Sequence, residues 1–140
     1  MDTFAVPAAT FAYLTRSAAS LREAITSDDV GMRYAHAHVA ALRATAALLA
    51  ARARPAPASA RRGRPVQRNA WVLLAEVAPE FAEWATFFAA GASKRAAAEA
   101  GSTRAVTERE ADDLVRDADR FLALVETSLG LTEHLPFRVA

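Results

Sequence analysis

Alanine constrains this chain more than any other residue: 37 of its 140 positions carry it, against five glycines, and no stretch alternates apolar and polar residues as a half-buried strand does. Alanine loses no side-chain freedom on entering a helix and heads the helix-propensity scale, so the expected fold is all-α. The length suits one hydrophobic core, and residues 1–140 are expected to form a single helical domain. Cysteine is absent. Disulfide scaffolds, cysteine-ligated zinc and cysteine nucleophiles are thereby excluded within this chain, and a reducing cytoplasm fits the composition best. The opening MDTFAVPAAT has no basic run, and arginine or histidine interrupts the alanine-rich stretches before about 18 apolar residues accumulate, so neither a secretory signal nor a membrane span is expected.

The formal net charge of +1 conceals a segregation. Arg52, Arg54, Arg61, Arg62, Arg64 and Arg68 share a segment that holds no acid, which makes that segment +6 and leaves the remainder at −5. Such an arm can attract nucleic acid or an acidic partner, or fold back on the acidic body. Residues 53–68, rich in proline, arginine and small side chains, are expected to form an extended basic loop without regular structure.

Helical spacing organises the rest. A first helix is expected from Pro7, with Phe11, Leu14, Ala18, Leu21 and Ile25 as its core stripe. Ser27, Asp28 and Asp29 offer a cap and negative charge for a second helix that runs to about Arg52 and is stopped by Pro55 and Pro57. Asn69 caps a short helix bearing Trp71, Leu74 and Val77, and Pro79 breaks it and opens a longer one. There Phe81, Trp84, Phe87 and Phe88 make a wide aromatic face, read as core because exposed basic residues are not interleaved with it. Thr107 and Glu110 have the spacing of a capping box for a last helix, whose Ala111, Leu114, Val115, Ala118, Phe121, Leu122, Val125 and Leu129 keep helical spacing up to Gly130. Asp112, Asp113, Asp117 and Asp119 fall on its other faces, near Arg116 and Arg120, and read as a solvated, ion-paired surface. No metal or cofactor is expected, since the spacings of zinc-protease helices, EF-hands and phosphate loops are all missing. Four long helices and one short one, with a basic loop after the second, predict an up-down helical bundle.

The stretch GMRYAHAHVAALR, Gly31 to Arg43, holds two of the three histidines. At about 100° per residue, Ala35, Val39, Leu42, Ala46 and Leu49 form one apolar stripe, expected to face the other helices. His38 falls at the edge of that stripe, beside Tyr34 and Thr45. The opposite face carries Arg33, His36, Ala40, Arg43 and Ala47. That small, polar face is either an exposed surface of good helix formers or a seam where a second copy packs closely. A histidine titrates near neutral pH and an arginine can clamp phosphate through two nitrogens, so such a seam could hold a phosphoryl-transfer site. His134, alone after the last helix, is expected to be an ordinary tail residue.

Arg33, four intervening residues and His38 match the R-x(4–6)-H motif of HEPN domains. The frame RYAHAHVAALRA, an arginine-proline linker, AWVLLAEVAPEFAEWATFFA and a terminal EADDLVRDADRFL resembles a family of small actinobacterial HEPN-domain proteins over nearly the whole chain. The resemblance implies a helical bundle, commonly dimeric, and a metal-independent ribonuclease activity found in many members. Carried over by position, it implies Arg33 as the group that stabilises charge on the scissile phosphate and His38 as the acid/base at the ribose 2′-hydroxyl, with His36 as a second candidate. Tyr34 departs from the small polar residue that often follows the arginine, and an ideal helix separates Arg33 from His38 by about 140°. The sequence therefore supports a HEPN-type RNA-acting protein, an endoribonuclease or an RNA-binding derivative whose arm (Arg52, Arg54, Arg61, Arg62, Arg64, Arg68) contacts nucleic acid. The alternative is a non-catalytic helical module that dimerises or docks a protein partner.

Overall fold

The structure, a computed structural model, describes residues 5–52 and 69–137. Arg54, Arg61, Arg62, Arg64 and Arg68 of the basic loop lie outside the described residues. The regular structure among the described residues is helical: α1 (Ala8–Thr26), α2 (Val30–Arg52), α3 (Ala70–Val77), a 3₁₀ turn at Pro79–Phe81, α4 (Ala82–Ala90), α5 (Ala92–Glu99) and α6 (Glu108–Ser128). Gly91 alone separates α4 from α5, so the two read as one long helix bent there. With that helix counted once, four long helices and one short one are present, as the sequence predicts.

Contacts to α2 set the order of the bundle. Thr10 and Ser17 of α1 reach Ala47 and Ala40 of α2, which makes the pair antiparallel. Phe88 of α4 meets His38 and Ala98 of α5 meets Gly31, so the bent helix also runs against α2. Arg33 pairs with Asp112 and Arg52 with Ser128, which leaves α6 parallel to α2. This is the up-down arrangement, with α2 at its centre.

The helix boundaries follow local chemistry. The Asp29 carboxylate accepts from Met32 N at 2.8 Å and satisfies an orphan donor of the first turn of α2. Asn69 Oδ1 accepts from Trp71 N at 2.8 Å at the start of α3. Thr107 and Glu110 form the full capping box, each side chain accepting from the other's backbone N–H. At the far end of α6, Gly130 adopts φ 76°, its N–H bonds to Thr127 O, and Leu131 N bonds to Glu126 O, the paired contacts of a Schellman stop.

The core departs from the expected faces on both of the first two helices. Of the stripe expected on α2 only Ala35 is buried; Val39, Leu42, Ala46 and Leu49 are half-exposed. The buried row is Ala37, Ala40, Ala41, Ala44, Ala47 and Leu48, each with no accessible surface, so the helix is turned by roughly half a revolution from the expected orientation. The alanine face carrying Ala40 and Ala47 is therefore packed inside the protomer, against α1. The reason is visible on α1, which buries Thr10 and Ser17 rather than Phe11. Thr10 Oγ1 donates to Ala47 O at 2.8 Å and Ser17 Oγ donates to Ala40 O at 2.7 Å, so both hydroxyls are satisfied without water. Phe11, expected in the core, stays 48% exposed, and Ala18 and Ile25 are half-buried.

The aromatic face is core, as expected, with one exception. Phe88 stacks on Trp71 at 5.2 Å and on Trp84 at 5.8 Å between ring centres, and meets Phe121 of α6 edge-on at 5.1 Å. Phe87 remains 46% exposed. Every apolar position expected to be core on α6 from Ala111 to Val125 is buried, and Leu129 is half-buried.

This packing predicts opposite outcomes for two substitutions on the first helix pair. Ala40→Leu inserts three carbons where no accessible surface remains and is expected to cost about 3 kcal/mol. Phe11→Ser, at a half-exposed site, is expected to change stability by no more than about 1 kcal/mol. Urea denaturation of the two variants measures both.

Candidate functional site

The first three turns of α2 carry Arg33, Tyr34, His36 and His38, and the helix sends them to different neighbours. Arg33 Nη1 donates to Asp112 Oδ1 of α6 at 2.8 Å, and its Nη2 donates to the Ser27 carbonyl at 3.3 Å. The Arg33 side chain is 14% exposed. Its charge is thus matched by a carboxylate in a partly dehydrated setting, where such a bond is stronger than at an open surface.

His38 faces α3, α4 and α5, 1% exposed rather than at the edge of the core. Its ring lies edge-on to Trp71 at 5.6 Å and to Phe88 at 6.3 Å. Nε2 donates to the Phe88 carbonyl at 2.8 Å, which leaves Nδ1 as the acceptor facing Arg95 Nη1 at 3.4 Å. Burial disfavours the imidazolium and pushes the His38 pKa down; the Phe88 carbonyl works the other way, and the Arg95 guanidinium adds to the depression. His38 is a neutral histidine with both nitrogens committed.

His36 sits on the opposite side of α2. Its Nδ1 lies 3.3 Å from Glu23 Oε2 of α1, and the side chain is 29% exposed. Arg52, at the far end of the helix, forms a fork on Glu80, at 3.2 Å to Oε1 and 2.8 Å to Oε2, and also donates to Ser128 Oγ at 2.9 Å. The structure therefore does not bring Arg33, His36 and His38 together within one chain. Each is held by a separate partner.

His38 does border a cavity of about 340 Å³ together with Tyr34 and residues of α4, α5 and α6. Gly91 stands at its edge: a Cβ there would lie 2.5 Å from Tyr34 Oη and 3.5 Å from His38 Cδ2, so a larger residue would displace the Tyr34 hydroxyl. Burial pushes the Tyr34 phenol up. At the rim Lys94 pairs with Glu110, and this hydrogen bond, aided by Thr107 N–H, holds the Glu110 carboxyl down at about 2. On the same side Asp117 is pushed up by its burial and then by Asp113. Among the described residues no group of three or more histidines and carboxylates is arranged to hold a metal ion. Tyr34, Gly91, Lys94, Arg95, Glu110 and Asp117 were not singled out from sequence as site residues. The isolated glycine in AAGAS, inside a helical pattern, is the one signal that could have pointed here.

The family model of SAV_6107-like HEPN domains matches residues 24–126, from the end of α1 through most of α6. The chain belongs to the HEPN family. No curated protein and no solved structure matches it. The matched span of the HEPN domain contains Arg33, His36 and His38, the cavity and the greater part of the bundle, and it leaves out His134. No described helix is long and apolar enough to cross a membrane.

His134 corrects the expectation of an ordinary tail residue. Its Nε2 lies 2.6 Å from Asp119 Oδ1 and its Nδ1 2.5 Å from Glu126 Oε1, with all three side chains no more than 15% exposed. The backbone joins in, with His134 N donating to Glu126 and Phe137 N to Asp119. Burial opposes the charged ring, yet the hydrogen bonds to Glu126 and Asp119 outweigh it, and the His134 pKa stands above the usual histidine value. The protonated ring, donating one N–H to each of two carboxylates, clasps the tail to α6. Since the folded-state pKa is raised, the clasp contributes fully below the unfolded value of about 6.5 and is lost as pH rises through the folded-state pKa. The stability difference between the native chain and His134→Gln is therefore expected to be larger at about pH 6 than at about pH 9 by urea denaturation.

Proposed function

We propose that this HEPN domain works as a helical interaction module that pairs with a second copy of itself along the outer face of α2, with Arg33 and His38 as structural residues. The observation that carries this reading is the state of His38. It is 1% exposed, its Nε2 is spent on the Phe88 carbonyl and its Nδ1 faces Arg95, and burial pushes its pKa down, so neither ring nitrogen is free to exchange a proton with a substrate. The arginine of the motif, for its part, is neutralised by Asp112. The pairing face is the partly buried row Val39, Leu42, Ala46 and Leu49, which keeps apolar surface on the outer side of α2 although Leu42 also packs against the core. A row along one helix is self-complementary about a two-fold axis, and HEPN domains commonly dimerise. The sequence placed the seam on Arg33, His36, Ala40, Arg43 and Ala47, but α1 already occupies Ala40 and Ala47, so the seam moves to the neighbouring face.

A second reading, the metal-independent endoribonuclease, has His36 in its favour. Its Nδ1 is steadied by Glu23, its Nε2 makes no hydrogen bond among the described residues, and it borders the same outer face, where pairing would bring both copies' imidazoles to the seam. In that reading His36 takes the proton of the ribose 2′-hydroxyl, the product ends in a 2′,3′-cyclic phosphate, and the arm arginines beyond Arg52 hold the RNA backbone.

Light scattering and an RNA-cleavage assay in EDTA separate the readings. The module predicts a dimer at tens of micromolar, by order of magnitude a regime where stable dimers persist, and a monomer for Val39→Arg. It also predicts no cleavage of a mixed RNA pool, and a loss of about 2 kcal/mol of stability in His38→Ala from the unpaired carbonyl and the void. A wild-type monomer overturns the pairing. Cleavage that His36→Ala abolishes replaces the module with the nuclease.

A further inference from the structure

The cavity beside His38 has two walls of different chemistry. At about 340 Å³ it stands near the lower end of the roughly 300–1,000 Å³ range of small-molecule sites. The wall formed by α2 and α4 is aromatic, with Tyr34, Phe87 and Phe88. Phe87 is 46% exposed yet fixed in direction by edge contacts with Phe88 at 5.1 Å and Trp84 at 6.4 Å. The facing wall comes from α6, where Asp113, Leu114 and Asp117 fall on one side of the helix at spacings of three and four.

The charges on these walls do not balance. Lys94 and Glu110 satisfy each other at the rim. Asp113 Oδ1 accepts from Arg116 Nη1 at 2.7 Å, which turns part of its charge outward. The Asp117 carboxylate, half-buried, makes no hydrogen bond or ion pair among the described residues; Arg116 and Arg120 on its own helix act on it only through space. His38, neutral, supplies no compensating charge. A half-buried carboxylate without a donor is costly unless a ligand brings one, and the exposed aromatic ring opposite prefers a cation over its face.

We propose that this cavity binds a small organic monocation, an amine or amidine carried on a flat apolar body, with its charged end on the Asp117 carboxylate and its body against Phe87 and Phe88. The cation gains a charge-assisted hydrogen bond and a ring contact together. An anion, phosphate included, meets Asp113 and Asp117 with no uncommitted cation on the lining, since Lys94 is held by Glu110. A neutral molecule of the same shape fills the aromatic half and leaves the carboxylate unanswered. This inference does not depend on the pairing of α2 or on the role of His36.

Isothermal titration calorimetry with benzamidine, benzamide and benzoate, which share one ring and differ in charge, tests it. Benzamidine is expected to bind at about millimolar concentration or tighter, benzamide at least about tenfold more weakly, and benzoate not at all. Asp117→Asn, checked for helicity by circular dichroism, is expected to erase the preference for benzamidine over benzamide. Phe87→Ala, at a half-exposed position and checked for helicity in the same way, is expected to weaken benzamidine by about fivefold or more. Benzoate binding as tightly as benzamidine, a preference unchanged in folded Asp117→Asn, full affinity in Phe87→Ala, or no binding by any of the three overturns the proposal.

Discussion

The close contact of α1 with α2 is the constraint on which the rest of the structure depends. A helix lined by Ala37, Ala40, Ala44 and Ala47 presents a surface one methyl deep, and α1 meets it with Ser17 and Thr10, small side chains whose hydroxyls end on α2 carbonyls. Dispersion and two buried hydrogen bonds hold the pair where larger side chains would have kept the axes apart. Once this side of α2 is fixed against α1, the directions of all its other residues follow. Tyr34 and His38 must point at α4 and α5, Arg33 at α6, and the bulkier Val39, Leu42 and Leu49 are left on the outer side.

This explains why the residues of the HEPN motif do not meet. Positions five apart on a helix differ by about 140° in direction, and α2 has a different neighbour at each of those bearings. Arg33 becomes a tie between the start of α2 and the first turns of α6, while His38 becomes a donor to the main chain of α4. Both interactions engage the polar ends of the side chains, two nitrogens of the Arg33 guanidinium and the His38 Nε2. A histidine wedged between Trp71 and Phe88 is also shielded from water, which is why its charged form is disfavoured.

Much of the fold was legible in the sequence because local signals acted alone. The capping box at Thr107, the Asn69 cap, the Gly130 stop and the apolar row of α6 each depend on residues within a few positions of one another, and each stands where it was expected. The orientation of α2 was not legible, since a helix that is apolar on nearly every side gives hydrophobic periodicity nothing to choose by. The larger residues Val39, Leu42 and Leu49 suggested one face; the hydroxyls of α1 decided for another. Buried Ser17 and Thr10 run against the rule that polar residues stay outside, and only their carbonyl partners 23 and 37 residues away make sense of them. The site was hidden for a similar reason. Lys94 and Glu110, or His134 and Asp119, are paired by the path of the chain, and no spacing rule joins residues across a bend or a turn.

The bend at Gly91 gives α5 a mechanical role. Just past the bend, neighbouring residues reach in two directions: Lys94 grips Glu110 on α6, and Arg95 approaches His38 on α2. Tyr34 fills the space where a side chain at 91 would have stood. The short helix is thus a strut between two parallel beams, pinned to each by one cation. A displacement of α5 by a fraction of a helical turn would be felt at both pins at once, so the opening of the cavity at its Lys94 rim follows how that strut lies, while α2 and α6 stay held together by their own contacts.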